Sequence, residues 1–188
     1  MSQITPLTTR VARPSDARAL VALVNSAYRG DSSRAGWTTE ADLLGGQRTD
    51  EHVLIEFIAR GETAGDRAML VHEREGRLIA CVQLERRKQA AYLGMLTIMP
   101  TRQSGGLGKA LLAAAENFVL HTWNGTSVTM TVIEQRPELI AWYGRRGYSR
   151  TGDTAPFPYG DARFGEPKRP DLKFVVLSKR LGAAPPSP

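Results

Sequence analysis

The chain has 188 residues, enough for one α/β domain with a real core and too few for two comfortable ones. A hydrophobic content of 41% with 23% charged residues is that of a globular protein, and no apolar run reaches the roughly 18 residues a membrane span requires. The net charge of +6 is spread over short basic groups such as Arg86-Arg87-Lys88 and Arg145-Arg146, which favours an anionic small ligand over nucleic acid.

Cys81 is the only cysteine, so an intrachain disulfide is excluded. The opening Met1-Ser2-Gln3-Ile4 lacks the basic-then-apolar pattern of a signal peptide. Both features lead to the expectation of a reducing, cytoplasmic setting.

Residues 1–7 read as a loose leader. Residues 8–12 alternate and predict a short strand. Pro14-Ser15-Asp16 opens a helix whose apolar stripe is Ala19, Leu20, Leu23, Val24 and Ala27, and Gly30 ends it. Thr38-Thr39-Glu40-Ala41-Asp42 has the form of a capping box and predicts a short second helix, broken by Gly45-Gly46. Asp50 caps a third helix expected to run to Ile58, with Gly61 and Gly65 bracketing a turn.

The period then changes to that of strands. Residues 67–73 and 77–85 are apolar-rich and joined by Arg74-Glu75-Gly76, a hairpin signal. Residues 91–99 give a third strand, closed by Pro100. A helix over 106–123 should bury Leu107, Leu111, Ala114, Ala115, Phe118 and Val119. A β-branched strand over 127–133 follows, then a helix with Pro137 in its first turn that stops at Gly147. A strand begins at 148–151, a Pro- and Gly-rich loop fills 154–170, and a last strand covers 172–178. Residues 182–188 should be disordered. The order predicts a mixed α/β sheet with helices on both faces.

The most informative segment is the glycine-rich turn between the third long strand and the long helix, Gln103-Ser104-Gly105-Gly106-Leu107-Gly108-Lys109. Backbone N–H groups at a helix start, unobstructed by Cβ atoms, form a concave anion site, and the helix dipole reinforces it. A diphosphate is the expected guest, with Lys109 and Arg102 adding charge. The nucleotide P-loop does not fit: its leading glycine falls on Gln103, and Ala110 follows Lys109 in place of Ser or Thr. The dinucleotide fingerprint fails because Leu111 stands at its third small position.

Gln103-Ser104-Gly105-Gly106-Leu107-Gly108 meets a third pattern, Gln/Arg-x-x-Gly-x-Gly/Ala, and resembles the coenzyme A site of the GCN5-related N-acetyltransferases (GNAT). The downstream Arg136-Pro137-Glu138-Leu139-Ile140-Ala141-Trp142-Tyr143, ending in Gly147-Tyr148, looks like that family's second signature. Arg13-Pro14-Ser15-Asp16-Ala17 resembles its opening. The resemblance covers residues 8–181 as one domain. It implies a mostly antiparallel mixed sheet whose central strands splay apart to admit the pantetheine arm.

Carried over residue by residue, the resemblance gives Leu96, Thr97 and Ile98 backbone contacts to pantetheine and thioester. It gives Gln103, Ser104, Gly105, Gly106, Gly108 and Lys109 to the diphosphate. Tyr143 falls on the family's proton-donor position. Glu85, ending a strand beside the cleft, is a candidate base, with a solvated strand-end carboxylate as the competing reading. Trp37 and Glu40, with Phe157, Tyr159 and Asp161, are candidates for the acceptor side, where acidic residues would favour a cationic acceptor. Many relatives carry Asn after the second splayed strand; Glu134-Gln135 stand there instead, which puts that contact in doubt.

The implied activity is acetyl transfer from acetyl-CoA to a primary amine of a small molecule or peptide, without a metal. Cys81, in an apolar strand, reads as core and not as a nucleophile, which favours direct transfer. A non-catalytic acyl-CoA sensor is the alternative. The expected partner is the amine acceptor, not nucleic acid or a membrane, and a homodimer stays open.

Overall fold

A computed structural model describes residues 7–36, 39–103, 105–161 and 164–182. Its centre is a seven-stranded sheet. In chain order the strands are β1 (Thr8–Val11), β3 (Arg67–Arg74), β4 (Arg77–Arg87), β5 (Ala90–Ile98), β6 (Ser127–Ile133), β7 (Ser149–Pro156) and β9 (Lys173–Arg180). Their order across the sheet is β1-β3-β4-β5-β6-β9-β7, and every pairing is antiparallel except β5 with β6. A separate two-stranded ribbon joins β2 (Leu44–Gly45) to β8 (Glu166–Pro167).

The strand period of two divides the core. On β3, Ala68 and Leu70 face one side while Met69 and Val71 face the other; on β4, Ala80, Val82 and Leu84 oppose Cys81. The first set packs under α4 (Leu107–Thr122) through Leu111, Leu112, Ala115 and Val119. The second packs under α1 (Ala17–Tyr28) and α3 (Glu51–Ala64) through Leu20, Val24, Leu54 and Phe57. Helices therefore cover both faces, as the sequence predicts. Ala114 and Phe118, expected inside, are only half-buried, and Leu112 takes the inward place.

The β3–β4 hairpin turns on Glu75 and Gly76 with φ of 55° and 70°, the left-handed pair that a two-residue turn demands. Asp50 accepts a hydrogen bond from Val53 N and caps α3, as expected. That helix runs on to Ala64, so Gly61 lies inside it, and Gly65 at φ 66° is its left-handed stop.

The helix expected over 38–42 is a single turn instead, in which Leu43 and Leu44 N donate to Glu40 O. Leu44-Gly45 then pairs with Glu166-Pro167, a distant partner that overrides the local signal. The expected loop over 154–170 is shorter, because β7 reaches Pro156 and β8 lies inside it. Most of the leader and the tail (1–6 and 183–188), like Trp37, Thr38 and Ser104, lie outside the described residues. Among the described residues no helix is long and apolar enough to cross a membrane.

Candidate active site

Two irregularities in β5 create the site. The first is its parallel pairing with β6, which covers only Ala90–Tyr92 against Ser127–Thr129. Past Tyr92 the strands part, and the space between them is a recess lined from both sides by residues such as Leu93, Leu96, Met130 and Val132. The second is a bulge: Gln83 pairs with Gly94 and Cys81 with Thr97, so Met95 and Leu96 together oppose Val82. Met95 takes φ 50°, a conformation costing about 1–2 kcal/mol in a residue with a Cβ. The surrounding ladder imposes it, and strain of this kind gathers at functional positions. Tyr28 fixes the bulge by donating its hydroxyl to Leu96 O at 2.5 Å.

A cavity of about 190 Å³ adjoins the recess. Leu96, Ile98, Gln103, Gly106, Gly108 and Lys109 form one wall; Arg136, Leu139, Trp142, Tyr143 and Arg146 form the other. The glycine turn opens the start of α4. Gly106 has φ 74°, and the first bond of α4 runs from Ala110 N to Gly106 O, so the N–H groups of residues 107–109 form the open end of the helix. A Cβ on Gly106 would meet nothing within 4 Å, whereas one on Gly108 would stand 3.2 Å from the Trp142 ring. Gly106 thus leaves room for a guest, and Gly108 lets α5 (Pro137–Gly144) approach α4. Gln103 donates to Ile98 O at 3.1 Å and packs on Gly36.

Three cations, Lys109, Arg136 and Arg146, line this cavity. The Arg146 guanidinium lies over the Trp142 ring at 3.5 Å and donates to Trp142 O, while its buried Nε has no partner among the described residues. Burial and the neighbouring Arg145 pull the Arg146 pKa below its ordinary value. A cationic cavity, an open helix end and an orphaned buried donor fit a diphosphate-bearing guest.

Tyr143 stands where the cavity meets the recess and lines both. Its ring packs edge-on against Trp142 at 5.0 Å and Tyr148 at 5.7 Å. Burial above all pushes its hydroxyl pKa far above the usual tyrosine value, and the nearby Tyr28 adds to the rise. It is therefore protonated at neutral pH, a donor and not a base.

The other expected site residues scatter. Thr97 is fully buried, and its hydroxyl donates to Met95 O at 3.0 Å. Gly105 is exposed in the turn. Glu85 takes a hydrogen bond from Gln83 at 2.9 Å and sits in an open groove with Arg48, Tyr92, Gly94 and Met95, which adjoins the recess but excludes Tyr143. Glu40 lines the recess, yet its carboxylate is held by Arg29 at 2.6 Å and faces Arg136 at 3.6 Å. Trp37 and Ser104 fall outside the described residues. Gln135 donates to Asp171 O, and Glu134 pairs with Lys173, so neither faces the cavity. Phe157 is packed with Leu44, Ile133 and Leu172, while Tyr159 donates to Arg169 O; both anchor loops.

Arg48, Arg136 and Arg146 are not among the expected site residues, and neither is Trp142, which is half-buried against the cavity. For Arg146 a signal existed: it lies four residues after Trp142 on one helix, the spacing that brings two side chains together. Burial pushes the Cys81 thiol up to about 12, in line with a core residue.

Residues 44–157 match the model of the acetyltransferase (GNAT) domain. The chain belongs to the GNAT family. Its fold is shared with PaiA N-acetyltransferase from Thermoplasma acidophilum, a complex with coenzyme A, at 16% identity and TM-score 0.66 over 93% of this chain and 99% of that one. YncA, a putative acetyltransferase from Salmonella typhimurium with its cofactor acetyl-CoA, aligns at 17% identity and TM-score 0.69, covering 96% and 98%. The ribosomal-protein-alanine N-acetyltransferase from Brucella melitensis aligns at 19% identity and TM-score 0.70, covering 93% and 99%. No curated protein matches the chain in sequence.

Proposed function

We propose that this GNAT protein transfers an acetyl group from acetyl-CoA directly to a primary amine of a small molecule or peptide, with residues 8–181 acting as one domain. The observation that carries the reading is the continuity of the site: one cavity runs from the glycine turn at Gly106–Gly108 to Tyr143, where it meets the recess left as β5 and β6 part.

The turn and Lys109 hold the diphosphate, with Arg146 at the cavity's other wall. Acetyl-CoA supplies an activated acyl group. The bulged Leu96 backbone, outside the regular ladder, is the group available to the acyl carbonyl oxygen. Tyr143 holds a proton for the departing sulfur, whose thiol pKa is about 8.5.

A lysine-like amine, with pKa about 10.4, must lose about three units' worth of protonation, roughly 4 kcal/mol, to attack at neutral pH. Glu85 assists only through solvent, because its groove is separate from the cavity that Tyr143 lines. Cys81 stays a buried thiol, which supports transfer without an acyl-enzyme. The test is release of free CoA from acetyl-CoA with a panel of amines. Release that depends on amine and falls in Tyr143→Phe supports the assignment; amine-independent hydrolysis alone rejects it.

A further inference from the structure

The acceptor side of the site carries a charge pattern that the sequence does not suggest. The recess is lined by one carboxylate, Glu40, and two guanidiniums, Arg48 and Arg136. Glu40 is matched by Arg29, itself buried, at 2.6 Å, and Arg136 pairs with Glu138 at 3.4 Å and faces Glu40 at 3.6 Å. Among the described residues no carboxylate lies within ion-pair distance of Arg48, whose guanidinium rests 5.8 Å from the centre of the Tyr28 ring. Tyr28 in turn bonds the Leu96 carbonyl at the bulge. The cation left over is therefore Arg48, which sits beside the place where the acyl group would arrive. The rest of the lining mixes apolar side chains, Leu93, Met130, Val132 and Phe174, with the hydroxyl-bearing Tyr92, Thr131 and Tyr143.

A recess of this kind repels a polyamine and attracts an anion, since the half-buried Arg48 guanidinium gains by taking a counter-charge. Guanidinium groups bind carboxylates in a bidentate manner, which fixes orientation as well as charge. We infer that the acceptor is a small α-amino acid-like molecule, an amine with a carboxylate a few bonds away and an apolar side chain, and that Arg48 holds the carboxylate. This rests on the acyl transfer proposed above. The same cation serves a second purpose: a positive neighbour disfavours the ammonium form, so the group that grips the carboxylate also helps present a neutral amine. Glu85, remote from Tyr143, then has little to do.

The test compares matched amines with the full-length protein: leucine, leucinamide and isoamylamine, which share a side chain and differ in the carboxylate, together with spermidine and a leucine-initiated tripeptide. Free CoA release is followed, and CoA binding is measured separately by calorimetry. The inference predicts a kcat/KM for leucine at least tenfold above leucinamide, isoamylamine, spermidine and the peptide. Arg48→Gln should erase most of that preference by raising KM for leucine, and Arg48→Lys should restore part of it. Equal or better use of the amines lacking a free carboxylate, or an Arg48→Gln variant with unchanged preference, overturns the inference and leaves acyl transfer standing. Absence of CoA binding, or of amine-dependent release with every amine, overturns both.

Discussion

Tyr143→Phe removes one oxygen and little else. The ring is 5% exposed and wedged between Trp142 and Tyr148, contacts that phenylalanine keeps. A near-isosteric swap of this kind should change stability by less than about 1.5 kcal/mol. The kinetic effect follows from the leaving group. A thiol pKa of about 8.5 lies about 1.5 units above neutral pH, so expelling it as a bare thiolate costs about 2 kcal/mol, or roughly thirtyfold in rate. That is smaller than the 10²–10⁴-fold typical of general acids acting on poorer leaving groups. We therefore expect kcat to fall roughly ten- to a hundredfold, with a deficit that persists from pH 7 to pH 9 because unassisted expulsion of thiolate consumes no solvent proton. Burial holds the Tyr143 hydroxyl protonated across this range. The assay is CoA release at saturating substrates, with calorimetric CoA affinity and thermal melting as controls. A Phe variant with kcat within twofold of the parent would refute the role.

Four further outcomes follow from named contacts. Gly108→Val should weaken CoA binding at least tenfold by calorimetry, because a Cβ there already lies 3.2 Å from Trp142 and α5 must move away from α4. Cys81→Ala should keep its turnover while losing about 1–2 kcal/mol in urea unfolding, since the thiol is buried core and takes no part in transfer. Glu40→Gln should cost about 3–5 kcal/mol, measured by urea unfolding, because it strips the buried Arg29 of its partner. His72 is 1% exposed and burial lowers its pKa, so the unfolded chain takes up the proton first. Its contribution is fully present above the unfolded value of about 6.5 and is lost as pH falls below it toward the folded value. Urea unfolding at pH 7.5 and 5.5 should show a drop that a His72→Gln variant reduces.

The parts of the fold legible in the sequence were those fixed by local chemistry. The Glu75-Gly76 turn, the β-branched run 127–133 and the Asp50 cap each declare themselves within a few residues. The glycine turn was legible for the same reason, since an open helix end needs only its own residues. What the sequence hid depends on distant partners. Leu44-Gly45 is a strand only because Glu166-Pro167 lies beside it. Met95, not the preceding Gly94, takes the left-handed conformation, because register on β4 decides which residue bulges. Glu40 looked like a ligand for a cation until Arg29 and Arg136 proved to surround it. A cluster drawn from three separate segments has no spacing to read.

The account stands on main-chain amides at the start of α4 cradling a diphosphate. A crystal structure of the protein with coenzyme A tests this most directly. We expect the diphosphate against the N–H groups of residues 106–109 and the sulfur between Leu96 and Tyr143. A diphosphate bound elsewhere, with the glycine turn facing solvent, would contradict it.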